Sequence, residues 1–146
     1  MSGKYNQIAK QSLSAIKKLP KLDVSALSAT VKYSFKYFHI DHESFYPNTG
    51  EYNNDSMLEL MERLKNISMM NMNDFMNKFS KSLRNHIIRW EDTAVTSGYD
   101  HLPFDIEMPF QFEVSLSHGR VHGFIIDTTF YIVWLDKEHQ LYPEKN

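Results

Sequence analysis

The sequence contains no cysteine, so a disulfide framework, a thiolate metal site and a cysteine nucleophile are all excluded. Long apolar runs are also absent, since even residues 130–135 fall far short of the roughly 20 residues that cross a bilayer. The first residues are polar and lack the apolar region that marks a secretory signal. We therefore expect a soluble, cytoplasmic protein that does not enter a membrane.

Motifs of several common enzyme classes are missing as well. There is no glycine-rich phosphate loop, no serine in a nucleophile elbow and no paired-carboxylate motif, which excludes ATP-dependent and α/β-hydrolase chemistry. The histidine pairs His39/His42 and His118/His122 have poor metal-ligand spacing, and without cysteine a metal site would also need Asp or Glu. We expect no metal and no cofactor.

The charge is small overall but unevenly distributed. A formal net charge of −2 argues against a generic polyanion binder, because an extended phosphate-binding surface normally shows as a basic excess. Residues 1–30 contain five lysines and a single acid, whereas residues 91–107 contain five acids and no lysine or arginine. The simplest interpretation is a solvated tail and a solvated loop.

The N-terminal part of the chain has a helical pattern. Apolar residues recur on one face of residues 5–19, and Pro20 ends the pattern. This predicts an amphipathic helix within an N-terminal extension, residues 1–29, that either packs on the body of the protein or binds a partner.

After the N-terminal extension, the spacing of the apolar residues is first that of a strand and then that of a helix. Residues 31–37 alternate between apolar and polar, which predicts a half-buried strand. Ser56 and Glu59 have the spacing of a capping box, which predicts the start of a helix of about 11 residues. The same spacing of apolar residues resumes at Met72 and predicts a second helix.

Three more alternating segments follow, at residues 110–117, 119–126 and 129–136. Consecutive strands with short connections favour an antiparallel meander, to which the helical pair brings the first strand. The predicted fold class is α+β: one domain, residues 30–146, with a small antiparallel sheet of about four strands and helices packed on one face.

The third of these four strands carries the first candidate site. Arg120 and His122 share a face because side chains alternate along a strand, and after a two-residue turn Tyr131 joins them on an open sheet surface, while Trp134 faces the helices. A guanidinium can hold a phosphate and an imidazole can move protons, as phosphodiester chemistry requires. The alternative is that Arg120 pairs with a surface acid and His122 is a satisfied polar group.

Two other polar sets are candidates. The C-terminal tail either folds back, bringing His139 or Tyr142 to the same sheet face, or is a solvated end. A second set combines cations with a stacking surface, as single-stranded RNA sites do. Its members are Arg84, His86, Arg89 and Trp90. Helix C-terminal capping explains Arg84 and His86 equally well.

The element order, with the segment Gly-Arg-Val-His-Gly-Phe at residues 119–124 and Phe-Tyr-Ile-Val-Trp-Leu-Asp at residues 130–136, resembles the RelE/ParE-like toxins of bacterial toxin–antitoxin systems. The resemblance covers roughly residues 30–142. It implies helices on one side of a small antiparallel sheet and metal-independent cleavage of mRNA on the ribosome. Arg120 would then hold the phosphate, and His139 or Tyr142 would match the functional group of the tail.

Two functional hypotheses follow. The first is a toxin-type endoribonuclease of a bacterial toxin–antitoxin or phage-defence system, which acts on RNA or the ribosome through Arg120, His122 and the tail and is paired with an antitoxin. The second is a non-catalytic interaction module of a phage, plasmid or defence system, which binds a protein partner through its aromatic sheet face or its N-terminal helix.

Overall fold

A computed structural model describes residues 24–40, 42, 53–78, 81–115 and 119–142. The helix predicted for residues 5–19 lies outside the described residues. The elements follow in the order α1 (Val24–Ser28), β1 (Lys32–Ser34), α2 (Asn54–Ser68), α3 (Met72–Asn77), β2 (His86–Ile87), a 3₁₀ helix (Trp90–Asp92), β3 (Pro109–Ser115), β4 (Gly119–Ile126) and β5 (Thr129–Asp136). None of the helices in these ranges is long and apolar enough to cross a membrane.

The strands form one five-stranded sheet in the order β1-β5-β4-β3-β2. The α+β class is therefore confirmed, but the predicted antiparallel sheet of about four strands is wrong. β1 pairs parallel with β5, which makes the sheet mixed, and β2 adds a fifth strand. A two-residue strand is too short to show alternation. The alternation of β1 does not indicate the direction of the strand either. The long stretch of chain between β1 and β5, which includes α2, α3 and the other three strands, permits parallel pairing.

α2 begins earlier than predicted because its cap is Asn53 rather than Ser56. The side chain of Asn53 accepts the backbone N–H of Ser56, so it satisfies one of the free donors at the helix start. Ser56 itself lies inside the helix and is buried. From this start the helix turns its apolar stripe, Leu60, Leu64 and Ile67, onto the sheet.

The three helices cover one face of the sheet, which we call the helix side. Phe75 of α3 lies at its centre, with ring centroids 5.0 Å from Phe110, 5.8 Å from Phe112 and 5.8 Å from Phe130. Leu27 of α1 packs against the same core. Burial of these aromatic rings, at about 25 cal/mol per Å² of apolar surface, drives the helices onto the strands.

The opposite face is covered as well, by residues 88–108 and by the tail, residues 137–142; we call it the loop side. A second core cluster lies there, formed by Ile88, Tyr99, Phe124, Val133, Trp134 and Leu141. The open sheet surface predicted for Arg120, His122 and Tyr131 is therefore wrong. The covering residues have no regular period, so the sequence pattern gives no sign that they return to the sheet.

A β-bulge between β4 and β5 sets which side chains face the loop side. His122 pairs with Trp134 and Gly123 with Ile132, which leaves Val133 as the extra residue. Trp134 consequently points to the loop side with His122, and the prediction that it faces the helices is wrong. The two-residue turn at Asp127 and Thr128 is confirmed, with Asp127 at a φ of 55°.

Candidate functional site

The bulge places a polar group on the loop side, under the tail. His122 Nε2 donates to Asp136 Oδ2 across 2.9 Å, and both side chains are 0% exposed. Asp136 also accepts the backbone N–H groups of Gln140, at 2.8 Å, and Leu141, at 2.9 Å. One carboxylate thus ties β4 to the turn that starts the tail.

The charge states of this pair follow from burial and hydrogen bonding. Burial lowers the pKa of His122 and outweighs the opposing influence of Asp136. Burial alone would raise the pKa of Asp136, but the hydrogen bonds from His122, Leu141 and Gln140 outweigh it and lower the pKa. The pair is therefore a neutral imidazole donating to a carboxylate. His122 is closed off from solvent, so the accessibility that an acid–base role needs is missing in this conformation.

Arg120 lies beside this pair, between two acids on the same rung of the sheet. Its strand partners are Glu113 on β3 and Asp136 on β5. Burial lowers the pKa of Arg120, against the attraction of both carboxylates. Its Nε is buried with no hydrogen-bond partner among the described residues. The guanidinium is only partly accessible, and Glu113 and Asp136 both attract it.

The tail folds back over the sheet, as one of the two sequence interpretations has it. The hydroxyl of Tyr142 accepts the backbone N–H of Arg89 at 2.9 Å, and its ring lies 5.5 Å from that of His86. Burial raises the pKa of Tyr142 to about 12. His139, at a φ of 56°, is close enough to affect the pKa of His122. The tail therefore lies over the sheet face that carries Arg120 and His122.

The cations predicted to bind RNA are paired with acids. Arg89 makes an ion pair of 2.8 Å with Glu91, and Arg84 lies 3.5 Å from Glu113. His86 contacts Gln111, with 2.9 Å between the two Nε2 atoms. The amide oxygen of Gln111 is buried without a partner in the described part of the chain.

The two aromatic members of the predicted set pack against the loop-side cluster. Tyr131 stacks on Phe124, with ring centroids 4.9 Å apart and planes 11° from parallel. Trp90 also lines a cleft. Arg84 and Arg89 are therefore paired with acids, and the two aromatic residues are partly buried.

The cleft that contains Trp90 was not predicted from the sequence. It has a volume of about 580 Å³, and we call it the acidic cleft. Its walls are formed by Trp90, Ser97, Gly98, Tyr99, Asp100, Leu102, Pro103, Phe104, Asp105 and Ile106. No lysine, arginine or histidine is among these described lining residues. The run of five acids over residues 91–107 is the sequence signal that could have located it.

The aromatic walls of the acidic cleft are fixed by packing. Tyr99 donates its hydroxyl to the carbonyl of Gly123 at 2.8 Å, and its ring lies 4.7 Å from Trp90. Gly98 has a φ of 65°, and a Cβ there would lie 2.9 Å from the Trp90 ring. Glycine is required on both counts, because it tolerates the left-handed backbone and lets the indole lie against the chain. Phe104, 38% exposed, completes the walls.

Three histidines meet near the loop side without forming a metal centre. The ring centroids of His39 and His101 are 4.1 Å apart, and those of His39 and His42 are 5.2 Å apart. Trp134 Nε1 donates to His39 Nδ1 at 3.2 Å, which occupies one ring nitrogen. Within the described ranges no group of three His, Asp or Glu residues could hold a metal ion. His118 lies outside them.

Comparisons with known proteins gave no match: no family model fits the chain, and the searches of curated proteins and of solved structures found no relative. The resemblance to RelE/ParE-like toxins therefore stays a prediction.

Proposed function

We propose that the chain is a non-catalytic interaction module that binds a partner protein on the loop side of its sheet. The observation that carries this proposal is the acidic cleft, a concave and accessible surface with aromatic walls and carboxylates. Aromatic residues are typical of the anchoring part of protein interfaces.

Burial of the polar group around His122 also supports a non-catalytic role. A general acid or base has to reach the proton that it transfers, and the side chain of His122 is 0% exposed. A phosphate-binding arginine needs charge to spare, whereas Arg120 lies between Glu113 and Asp136. This arrangement suits a buried network that holds the tail in place.

The test measures binding and cleavage on the same preparation. Immobilised poly-lysine and poly-uridylate are presented to the full chain, and RNA is incubated with it in the presence of ribosomes. We expect binding to poly-lysine that weakens as salt is raised, no binding to poly-uridylate and no cleavage. Binding to the polyanion alone, or cleaved RNA, would reject the interaction module.

The toxin-type endoribonuclease is a second candidate, favoured by one observation. The tail is bonded to Asp136, the strand partner of Arg120, and Arg120 and Tyr142 each affect the pKa of the other. For this candidate Arg120→Ala and Tyr142→Phe should each lower RNA cleavage or growth arrest by about 100-fold. Lys65→Ala, at an exposed position of α2, is the control. A wild type that is inert with ribosomes excludes this candidate.

A further inference from the structure

The acidic cleft combines two features that select the same kind of ligand. Trp90, Tyr99 and Phe104 contribute aromatic rings to its walls, and Asp100 and Asp105 contribute carboxylates. Both aspartates are exposed at the surface, whereas Tyr99 is buried and rigidly anchored. The two carboxylates therefore lie at the open rim of the cleft, and the ring of Tyr99 lies deeper.

We propose that the acidic cleft binds a cationic side chain, lysine or arginine, from an extended segment of a partner protein, with the cation held between the aromatic walls and the carboxylates of Asp100 and Asp105. This assignment rests on the proposed function and names the chemistry of the partner. The occupant's methylene groups contact the rings, and its charged end lies at the rim.

Size and electrostatics both favour this occupant. A volume of about 580 Å³ falls within the range of sites that enclose small ligands, and it accommodates a long side chain. A cation over an aromatic face is attracted by the ring, and the attraction grows as the cation is desolvated. Each exposed carboxylate adds a further attraction for the cation, which salt screens.

Other ligand classes fit the same walls less well. A polyanion would be repelled, because residues 91–107 carry five acids and no lysine or arginine. The nearest cation in sequence, Arg89, is already engaged by Glu91 at 2.8 Å. A purely apolar segment would bury the carboxylates of Asp100 and Asp105 without a partner, which costs free energy.

The experiment uses titration calorimetry with a Gly/Ser peptide that carries three lysines, its arginine counterpart and its acetyl-lysine counterpart. The paired variant Asp100→Asn/Asp105→Asn is compared with Asp55→Asn/Glu62→Gln, which removes the same charge from exposed positions of α2 on the helix side. We expect the cleft pair to weaken binding by roughly tenfold and the α2 pair by less than about twofold. The acetylated peptide should not bind.

Trp90→Leu should weaken binding of the lysine peptide as well, because it removes one aromatic wall while Asp100 and Asp105 keep the charge. If the cleft variant and the α2 variant lose the same amount of peptide affinity, the peptide is attracted only by the overall negative charge of the protein. That result would overturn the assignment of the acidic cleft as the binding site. If the Asp100→Asn/Asp105→Asn variant binds the peptide as wild type does, and wild type still binds poly-lysine, the acidic cleft is not the binding site. The proposal of an interaction module would still stand. If the wild type binds neither poly-lysine nor peptide, and the variant described next, without the N-terminal lysines, does not bind the peptide either, the module itself is rejected.

A final variant of the full chain replaces all five lysines of residues 1–30 by glutamine. Those lysines are Lys4, Lys10, Lys17, Lys18 and Lys21. We expect this variant to bind the peptide as wild type does. If only the variant binds it, the chain's own N-terminal lysines already occupy the cleft, and the assignment to a partner protein is wrong.

Discussion

His122 Nε2 lies 2.9 Å from Asp136 Oδ2, and neither side chain is exposed to solvent. The two residues are on neighbouring strands, and the same carboxylate accepts the N–H groups of Gln140 and Leu141. The ionisation of one buried pair is therefore coupled to the position of the tail. Its response to pH can be worked out from the direction of each pKa shift.

Acid should destabilise the protein through His122. The pKa of this residue is lowered from 6.5 in the folded state by burial, so as the pH falls below about 6.5 the unfolded chain takes up a proton that the folded chain does not. The stabilisation is complete above the unfolded pKa and is lost as the pH falls. Asp136, whose pKa is lowered from 3.8, adds a further loss in strong acid. Thermal midpoints at pH 8, 6.5 and 5 measure the effect.

His122→Gln separates this contribution from those of the other histidines. Glutamine can still donate to Asp136 but does not titrate, so the midpoint of the variant should fall less between pH 8 and pH 5 than that of wild type. Equal falls in both proteins would show that His122 does not control the acid response.

Gly123→Ala should be severely destabilising. A Cβ at this position would overlap the carbonyl oxygen of Tyr131, which is backbone and cannot rotate away. We expect a loss of about 3 kcal/mol or more in the free energy of unfolding, measured with urea. Ile125→Val, two residues further along β4 and 2% exposed, is the control, with an expected loss of about 1 kcal/mol. Similar losses for both would contradict the close approach.

Tyr99→Phe tests how residues 88–108 are held on the sheet. The hydroxyl of Tyr99 donates to the carbonyl of Gly123 at 2.8 Å in a buried setting, so its removal should cost about 1 kcal/mol. Tyr131→Phe, in the same cluster, should change the free energy of unfolding little, because its hydroxyl has no hydrogen bond within the described residues. A variant of Tyr99 as stable as wild type would show that ring packing alone holds the segment.

Two truncations test the predicted boundary of the extension. Residues 24–29 contain Leu27, which packs on the helix-side core, and Ala29, whose carbonyl accepts the N–H of Met72 at 2.9 Å. Deleting residues 1–29 should therefore cost about 1–2 kcal/mol more than deleting residues 1–23, as judged by urea unfolding. Equal stability of the two shortened chains would place the boundary at residue 29, as the sequence predicts.

The strands from residue 109 onwards could be predicted because alternation of apolar and polar residues shows which side chains share a face of the sheet. The same alternation fails at Val133, where one extra residue reverses the faces that follow and moves Trp134 to the loop side. A bulge of this kind leaves no mark in the hydrophobic pattern, since both neighbouring residues are apolar.

The candidate site was predictable only in part. Arg120 and His122 are on one strand face, so their association follows from the sequence, and the return of Tyr142 was one of two interpretations. Burial of His122 was not predictable, because it depends on a covering segment with no period. The acidic cleft lies entirely within that segment and the adjoining Trp90, and only its excess of acids was visible.

The outermost strands of the sheet are only three residues long at β1 and two residues long at β2. Strands this short present few backbone N–H and C=O groups to an incoming chain, so neither border is a good template for adding another strand. Aggregation by edge-to-edge pairing of native molecules is therefore disfavoured. For the proposed interaction module, edges this short favour recognition of the partner through side chains rather than by β-augmentation.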